Sequence, residues 1–335
     1  MKVKIGIIGY GYWGPNLLRN FLANDKCAVQ CVSDFRKERL ALINKNYPTV
    51  TTTVNADDII NSPDIDAVVI ATPVFTHYEL AKKALEKNKH VLIEKPMTSS
   101  VSEAEKLIEL AAKKNKILMV DHTFLYTDAV QKMKKMIDAE QIGTLQYFDS
   151  TRINLGLFQP DINVLWDLAP HDISILNYLV KQKPYSVNAT GVCHTGNNVE
   201  NVAYLTLNYQ NNFVAHFNCS WTSPVKIRMM LIGGDKKMLV FNDLEPTEKI
   251  RVYDTGYNHK SDEEKNRIMV DYRVGDVYLP KIEAKEALAG VANDFMEAIT
   301  NGKKIISDSS LGLEVVRILE ASQKSIKNKG KEIIL

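Results

Sequence analysis

The sequence predicts an α/β protein with two domains, the first built on a doubly wound parallel sheet and the second on an open, mostly antiparallel sheet. Three observations predict this fold class. Apolar runs alternate with amphipathic helical patterns up to Val120, a glycine-rich turn follows the first run, and several strand-like runs then succeed one another with little helix between them. Nearly continuous apolar strands that alternate with helices indicate a parallel sheet covered on both faces, whereas successive strands joined by short turns indicate antiparallel pairing.

Both domains can be outlined from the apolar runs. In the first domain, expected at residues 1–121, the predicted strands are Lys2–Ile8, Ala28–Ser33, Ala67–Ala71, His90–Ile93 and Ile117–Val120, with helical patterns between them. In the second domain, expected at residues 122–335, a helical stretch over residues 124–137 precedes strand-like runs at Leu145–Arg152, Ser186–Cys193, Val202–Leu207, Phe213–Ser220 and Arg228–Leu231. Two amphipathic helices follow near the C-terminus, and we allow for their packing back on the first domain.

A glycine motif follows the first predicted strand. Gly9, Gly11 and Gly14 have the G-x-G-x-x-G spacing of a dinucleotide-binding turn. The first glycine permits a tight turn, the second lets backbone N–H groups approach a pyrophosphate, and the third lets the next helix pack closely against the strand. The partial positive charge at the N-terminus of that helix favours phosphates. A turn of this type that binds another ligand, or none, is the alternative.

Asp34 lies about twenty residues after the glycine motif, at the end of the second predicted strand. A carboxylate at this position accepts hydrogen bonds from the adenosine ribose and repels a 2′-phosphate, so we expect NAD as the cofactor. Arg36 is close enough to tolerate a 2′-phosphate, and this keeps NADP as the less favoured alternative.

The overall composition argues against several classes of protein. The 335 residues carry a formal net charge of +2 and no basic run is interleaved with aromatic residues, so we expect no nucleic-acid partner. No apolar run approaches the roughly eighteen residues of a membrane span, and the first strand begins at the N-terminus without a signal peptide. The cysteines Cys27, Cys31, Cys193 and Cys219 are expected to be reduced core thiols. These features predict a cytoplasmic protein without a metal or a membrane partner.

Three further motifs lie where chemistry is expected. Ala71–His77 and Glu94–Pro96 follow two predicted strands of the first domain, and ligands bind outside the carboxyl ends of the strands in such sheets. Trp166–Asp172 lies at the start of a helical pattern in the second domain. Its proline, Pro170, predicts that this helix begins nearby.

Together these motifs resemble those of the Gfo/Idh/MocA family of NAD(P)-dependent oxidoreductases, which act on sugars, cyclitols and nucleotide sugars. The resemblance covers nearly the whole chain and is carried by the glycine motif, Ala71-Thr72-Pro73-x-x-x-His77, Glu94-Lys95-Pro96, Asp167-x-x-x-His171 and the terminal helix pair with its Gly302-Lys303 turn. It implies an N-terminal Rossmann domain and a C-terminal α/β domain. It also implies a homodimer or homotetramer formed through the open sheet.

The resemblance further implies that Lys95, Asp167 and His171 form the catalytic group. Histidine suits a general base, because its unperturbed pKa of about 6.5 lies near the operating pH. Lysine can stabilise the developing alkoxide, and an aspartate about one helical turn before the histidine can orient the imidazole. The alternatives are a surface lysine, a satisfied core or capping histidine, and an N-cap aspartate.

The expected ligand contacts form two sets. The cofactor set is Gly9, Gly11, Tyr12, Trp13, Gly14, Asp34, Arg36, Thr72, Pro73, His77, Glu94, Lys95 and Trp166. The substrate set is Arg152, Asn154, Gln159, Asn163, His171, Lys226 and Arg228. Lys226 and Arg228 alternate along a predicted strand, so both can meet a diphosphate from one side. Two solvated side chains are the alternative.

The segment Gly11–Asn16 resembles the family branch that oxidises C3 of UDP-N-acetylhexosamines or their uronates. We therefore expect an NAD-dependent oxidoreductase that removes a hydride from a ring carbon, C3, of a UDP-N-acetylglucosamine-type nucleotide sugar. A dehydrogenase of a free sugar or an inositol-type cyclitol is the alternative, followed by an NAD-binding regulator without turnover.

Overall fold

The computed structural model describes residues 2–156, 158–159, 162–196, 198–258 and 271–335. The chain divides into two compact units. The first unit reaches from the N-terminus to Thr127 and takes in Lys285–Glu320, whereas the second comprises the residues between these segments together with Ala321–Leu335. The first unit therefore continues past residue 121 and includes residues from near the C-terminus.

The helices are distributed over both units. Their bounds are α1 (Gly14–Leu22), α2 (Lys37–Asn46), α3 (Ala56–Asn61), α4 (Val74–Glu86), α5 (Val101–Lys113), α6 (Asp128–Asp138), α7 (Val164–Leu179), α8 (Ala287–Asn301) and α9 (Ser309–Lys327), with a 3₁₀ turn at Thr123–Tyr126. Helix α9 contributes residues 309–320 to the first unit and residues 321–327 to the second. Within the part of the chain that the structure describes, no helix has both the length and the apolar character needed to cross a membrane.

The first unit is built on a six-stranded sheet in which all neighbouring strands are parallel. Its strands are β1 (Val3–Ile8), β2 (Cys27–Ser33), β3 (Thr51–Thr53), β4 (Ala67–Ile70), β5 (His90–Glu94) and β6 (Leu118–Asp121), in the spatial order β3-β2-β1-β4-β5-β6. The strand order reverses beside β1, which is where a Rossmann sheet binds its ligand. The predicted parallel sheet is confirmed. Strand β3 was not predicted, because three partly exposed threonines carry no apolar pattern.

Helix α8 belongs to the core of the first unit. Its Val291 and Phe295 are fully buried in one apolar cluster with Leu17 and Phe21 of α1. Arg19 and Asn20 of α1 also donate hydrogen bonds to the carboxylate of Glu286, the residue just before α8. These contacts fix α1, whose N-terminus follows the glycine turn, against a helix that lies far away in the sequence.

The second unit is built on a nine-stranded sheet in the order β16-β13-β12-β11-β7-β10-β9-β8-β17. Its strands are β7 (Leu145–Leu155), β8 (Ser186–Val192), β9 (Val202–Asn208), β10 (Val214–Ser220), β11 (Thr222–Gly234), β12 (Met238–Asn242), β13 (Ile250–Tyr253), β16 (Val277–Tyr278) and β17 (Ile333–Ile334), while β14 (Gly256–Asn258) and β15 (Asp271–Arg273) form a separate pair. Only β7 and β10 run parallel among the pairs of this nine-stranded sheet that the structure describes. The mostly antiparallel sheet is confirmed.

Helix α7 packs against β7 and β10 of this sheet. It begins at Val164, with the Asn163 side chain accepting hydrogen bonds from the N–H groups of Leu165 and Trp166. The prediction that the helix begins near Pro170 is therefore wrong. Asn163 provides the N-cap, and the proline lies inside the helix, where it removes one intrahelical hydrogen bond.

Candidate functional site

The glycine motif forms the turn between β1 and α1. Gly9 has a φ of 100°, and a Cβ there would lie 2.4 Å from the carbonyl oxygen of Ala71. At Gly14 a Cβ would lie 2.8 Å from the carbonyl oxygen of Gly9. Any larger residue at either position would therefore push apart the turn and the neighbouring backbone.

Gly11 is different, because the structure itself does not require a glycine there. A Cβ at Gly11 would meet only Nη2 of Arg36 within 4 Å, at 3.8 Å. The space beside this backbone is therefore open, as the approach of a pyrophosphate requires. Helix α1 begins at Gly14, three residues after Gly11. Trp13 is its N-cap residue, and a proline lies in its first turn. These residues fit a dinucleotide, with the phosphates at the backbone of residues 11–14.

Asp34 follows β2 and is held by two neighbours. Its Oδ2 accepts a hydrogen bond from the backbone N–H of Tyr10 at 2.8 Å, and its Oδ1 accepts one from the backbone N–H of Arg36 at 2.9 Å. The Arg36 guanidinium contacts both oxygens, each at 2.9 Å. Burial acts to raise the pKa of Asp34, but the hydrogen bonds from Arg36 and Tyr10 outweigh it and lower the pKa. The carboxylate therefore stays ionised beside the glycine turn.

The aromatic residues of the cofactor set differ in exposure. Tyr12 is 82% exposed and Trp13 is 37% exposed, and their rings meet edge to face at 5.4 Å between centroids. Trp166, in the first turn of α7, is buried. Tyr12 and Trp13 are thus open to a ligand at the glycine turn, whereas Trp166 is mainly a packing residue of the second unit.

The segment after β4 places Thr72 and Pro73 before α4. The hydroxyl of Thr72 lies 2.6 Å from that of Thr76, and Pro73 is exposed. His77 is buried, with Nε2 2.8 Å from the Thr72 carbonyl oxygen and Nδ1 3.0 Å from that of Pro96. Burial lowers the pKa of His77 and keeps the ring neutral. A neutral ring carries one N–H and so donates to one of these two carbonyl oxygens, while the ring lies between the loops after β4 and β5. The cofactor contact of His77 stays a prediction.

Lys95 directly follows β5, with Glu94 as the last residue of that strand. The Glu94 carboxylate accepts a hydrogen bond from the backbone N–H of Lys95 at 3.1 Å. Glu94 is buried and lies in register with Asp121, the last residue of β6. Glu94 is thus turned toward the neighbouring strand, and Lys95 stands at the carboxyl edge of the sheet, where ligands bind in this fold.

Asp121 and His122 were not singled out from the sequence. Asp121 is 1% exposed, and its Oδ1 accepts a hydrogen bond from the Thr123 hydroxyl at 2.6 Å. Both ring nitrogens of His122 are buried and have no hydrogen-bond partner among the residues that the structure describes. Burial, followed by the charge of Lys95, lowers the pKa of His122 to about 3. Their position after a predicted strand, equivalent to that of Lys95 after β5, was the signal that could have indicated them.

Asp167 and His171 lie four residues apart within α7 and therefore share one face of that helix. Asp167 is in the first turn, and its Oδ2 accepts a hydrogen bond from the indole Nε1 of Trp221 at 3.0 Å. His171 is half-buried, and its carbonyl oxygen accepts a hydrogen bond from the Ser174 hydroxyl. The structure thus brings Asp167 and His171 together on a helix that carries an N-cap, so Asp167 is not itself the cap.

Arg152 has a buried structural partner, and its expected substrate contact stays a prediction. Its Nε and Nη2 donate to Oδ1 of Asp172 at 2.9 and 2.5 Å, and Oδ2 of Asp172 accepts a hydrogen bond from the Ser150 hydroxyl. Arg152 is 2% exposed and Asp172 is 1% exposed. This buried ion pair joins β7 to the residue after His171, so Arg152 positions the helix that carries the histidine.

Asn163 has structural partners within the second unit, and its expected substrate contact stays a prediction. Its Oδ1 caps α7, and its amide group donates to Glu200 at 3.0 Å and to Gln323 at 2.5 Å. Asn154 and Gln159 are half-buried. Asn154 lies two residues after Arg152 on β7 and so on the same face of the strand. Both remain predicted substrate contacts.

Lys226 and Arg228 do not form the predicted pair. The pairing of β11 with β7 is interrupted between Thr222 and Ile227, so no ladder position aligns Lys226 with Arg228. Lys226 is exposed, whereas Arg228 pairs in register with Arg152 and its Nη1 lies 3.4 Å from Oδ2 of Asp243. The alternation argument fails here because the strand is irregular at these residues.

The Rossmann sheet, its glycine turn and the ionised aspartate after β2 are typical of a domain that binds a nicotinamide dinucleotide. Residues 3–122 match the oxidoreductase family with an NAD-binding Rossmann fold, and residues 130–240 match the GFO/IDH/MocA C-terminal domain. The chain therefore belongs to the Gfo/Idh/MocA family of oxidoreductases. The resemblance and the enzyme class inferred from the motifs are confirmed.

The similarity to known proteins covers nearly the whole chain. The chain is 27% identical over 325 residues to a UDP-N-acetylglucosamine 3-dehydrogenase of Acidithiobacillus ferrooxidans, covering 94% of this chain and 95% of that protein. It is 24% identical over 348 residues to the NADP(+)-dependent scyllo-inositol 2-dehydrogenase IolW of Bacillus subtilis, covering 98% and 94%. The solved structure of UDP-N-acetylglucosamine 3-dehydrogenase GnnA from A. ferrooxidans has a TM-score of 0.83 at 23% identity, covering 98% and 99%. The similarity to this solved structure shows that the two proteins share a fold.

Replacing Arg152 by methionine should destabilise the protein by about 3–5 kcal/mol, because it leaves the buried Asp172 carboxylate without its partner. Denaturant unfolding measures this loss. Lys83→Met, which breaks the exposed pair of Lys83 with Asp57, is the control and should cost less than about 1 kcal/mol. Unchanged stability together with a raised substrate KM would instead support Arg152 as a substrate contact.

Replacing Asp121 by asparagine should stabilise the protein at neutral pH. Burial raises the pKa of Asp121 from 3.8 to about 6 in the folded protein. The folded state therefore holds a proton that the unfolded chain releases. The contribution of Asp121 to the free energy of unfolding of the wild type is therefore complete below about pH 4. It is lost as the pH rises through about 6, and the loss is about 3 kcal/mol at most.

Urea unfolding of wild type and Asp121→Asn at pH 4.5 and pH 7.5 measures this difference. The advantage of the variant should be larger at pH 7.5. Asp64→Asn, at an exposed position, should show the same stability difference from wild type at both pH values to within about 0.5 kcal/mol. An Asp121→Asn advantage that does not grow with pH would contradict the assignment.

Proposed function

We propose that this protein is an NAD-dependent dehydrogenase that oxidises a ring secondary alcohol, C3, of a UDP-N-acetylglucosamine-type nucleotide sugar. The observation that carries the chemistry is the placement of Asp167 and His171 on one face of a capped helix that a buried ion pair holds to its sheet. The substrate is supported by the similarity to a UDP-N-acetylglucosamine 3-dehydrogenase over 94% of this chain.

The proposed reaction separates a hydride from carbon and a proton from oxygen. NAD, which the glycine turn and Asp34 would hold, would supply the acceptor for the hydride of the alcohol carbon. His171 accepts the hydroxyl proton at a ring nitrogen as the C=O bond forms. Lys95 donates a hydrogen bond to the same oxygen and stabilises its developing negative charge. Asp167 orients the imidazole from one turn earlier in α7, while its Oδ2 is held by the Trp221 indole.

The proposed preference for NAD rests on Asp34. An ionised carboxylate beside the glycine turn accepts hydrogen bonds from the ribose hydroxyls and repels a 2′-phosphate. The Arg36 guanidinium donates hydrogen bonds to the same carboxylate, which balances its positive charge. The choice of cofactor therefore depends on the balance between these two side chains.

His171→Asn should lower kcat on the order of a hundredfold or more, because asparagine cannot accept the proton. The affinity for NADH, measured by fluorescence, should change less than about twofold, since His171 belongs to a different unit from the glycine turn. His194→Asn, at an exposed position, serves as the control. A His171→Asn enzyme that turns over as fast as wild type would remove the general base from the proposal.

The substrate class can be tested by following NAD reduction with UDP-sugars, free sugars and inositols. A UDP-N-acetylglucosamine-type substrate should be oxidised, and UDP should compete with it. Oxidation of inositols without any effect of UDP would favour the second candidate, a cyclitol dehydrogenase. That candidate is supported by the 24% identity to a scyllo-inositol 2-dehydrogenase over 98% of this chain.

Asp34→Ser should reverse the preference between the two cofactors. We expect the Kd for NADH to rise about tenfold, and the Kd for NADPH to fall, because the freed Arg36 can pair with a 2′-phosphate. Asp25→Ser, exposed before the start of β2, is the control for the loss of one carboxylate. The ratio of the two Kd values, measured by fluorescence titration, should shift about a hundredfold. If the ratio stays constant, another residue selects the cofactor.

A further inference from the structure

Two carboxyl groups face each other below the edge of the first sheet. Glu94 ends β5, Asp121 ends β6, and the two residues are in register on these adjacent parallel strands. Glu94 is 9% exposed and Asp121 is 1% exposed. Asp121 Oδ2 is buried and has no hydrogen-bond partner among the described residues. The arrangement is a buried pair of like groups and requires an explanation, since unpaired buried oxygens are costly.

Neighbouring carboxylates in a buried site disfavour each other's ionisation. Burial, followed by the charge of Asp121, raises the pKa of Glu94 well above its usual range. Burial also raises the pKa of Asp121, to about 6. At neutral pH the pair therefore holds one proton and carries one negative charge.

The groups around Glu94 and Asp121 indicate which cation the negative charge of the two carboxyls acts on. Lys95 is next in sequence to Glu94 and donates its backbone N–H to the Glu94 carboxylate, and the charge of Lys95 acts to lower the pKa of both carboxyls. His122 is neutral because burial lowers its pKa. Tyr126 of the 3₁₀ turn, whose pKa burial raises, donates its hydroxyl proton to Asp294 of α8. His77 of α4 is kept neutral by burial. Among these groups, Lys95 is the cation that balances the pair.

We propose that Glu94 and Asp121 share one proton and act as a single negative charge that holds the Lys95 ammonium in position toward the reacting oxygen of the substrate. Glu94 and Asp121 are positioning residues, since they act through Lys95. The inference rests on the proposed function in one respect, namely that Lys95 contacts that oxygen. It deepens that function by assigning a role to Asp121, a residue outside the motifs that carry the family resemblance.

A shared charge predicts a specific pattern of mutant kinetics. In Glu94→Gln the remaining Asp121 carries the charge, and in Asp121→Asn the remaining Glu94 carries it. Each single variant should lower kcat less than about fivefold, whereas Glu94→Gln/Asp121→Asn should lower it about a hundredfold. In Asp121→Asn the affinity for NADH should change less than about twofold, because the glycine turn is intact. Glu94 is itself an expected cofactor contact, so thermal stability reports folding in the two variants that replace it. Glu79→Gln, exposed on α4, is the control.

Lys95→Met identifies the residue through which the pair acts. In the Lys95→Met background, adding Glu94→Gln/Asp121→Asn should lower kcat no further, because the group that the pair positions is absent. A further hundredfold loss in that background would overturn the inference and leave the proposed function standing. If Lys95→Met were as active as wild type, the proposed role of Lys95 would itself fail.

Two other outcomes also decide the question. If the two single losses multiply to give the loss of the double variant, the carboxyls act independently and the shared charge is wrong. If the double variant loses kcat together with NADH binding and thermal stability, its effect is on folding, which also overturns the inference. Retained thermal stability separates positioning from misfolding. Glutamine and asparagine keep the shape of the carboxyls, and we expect Asp121→Asn to fold stably.

Discussion

The parallel direction of β1 to β6 is the constraint on which the rest of the first unit depends. Because all six strands point the same way, the segments that follow them emerge at one edge of the sheet. The glycine turn follows β1, Asp34 follows β2, Lys95 follows β5 and His122 follows β6. Residues distant in sequence therefore lie at one edge of the sheet, and contacts such as the hydrogen bond from the Tyr10 N–H to Asp34 join the segments that follow neighbouring strands.

The buried charges of both units are balanced locally. Arg152 and Asp172 neutralise each other between β7 and α7, and Asp34 and Arg36 do the same after β2. The carboxyls of Glu94 and Asp121 are balanced by a retained proton and by Lys95. An uncompensated charge in such places would cost several kcal/mol. The Arg152–Asp172 pair also holds the residue next to His171 against β7, so charge balance and the position of this helix depend on the same contact.

The local patterns of the sequence predicted the strands of the first sheet, the glycine turn and the aspartate after β2. Each of these depends on a short-range rule, either the apolar content of a strand or a backbone conformation that only glycine adopts easily. Strand β3 was missed because Thr51–Thr53 has no apolar pattern. The start of α7 was misplaced because Pro170 suggested a first turn, whereas the capping side chain belongs to Asn163. For such short or irregular segments, tertiary contacts outweigh local preference.

The sequence by itself determined the class of fold, the dinucleotide turn and the residue types available for proton transfer, because these follow from spacing along the chain. The partners of charged side chains were decided by the tertiary structure. Arg152 has the chemistry of a phosphate ligand but lies against Asp172, and Asp121 has no motif of its own but lies beside Glu94. The reason is physical, since the burial of a charge and the identity of its partner depend on which strands and helices become neighbours. That neighbourhood arises only when the sheets form.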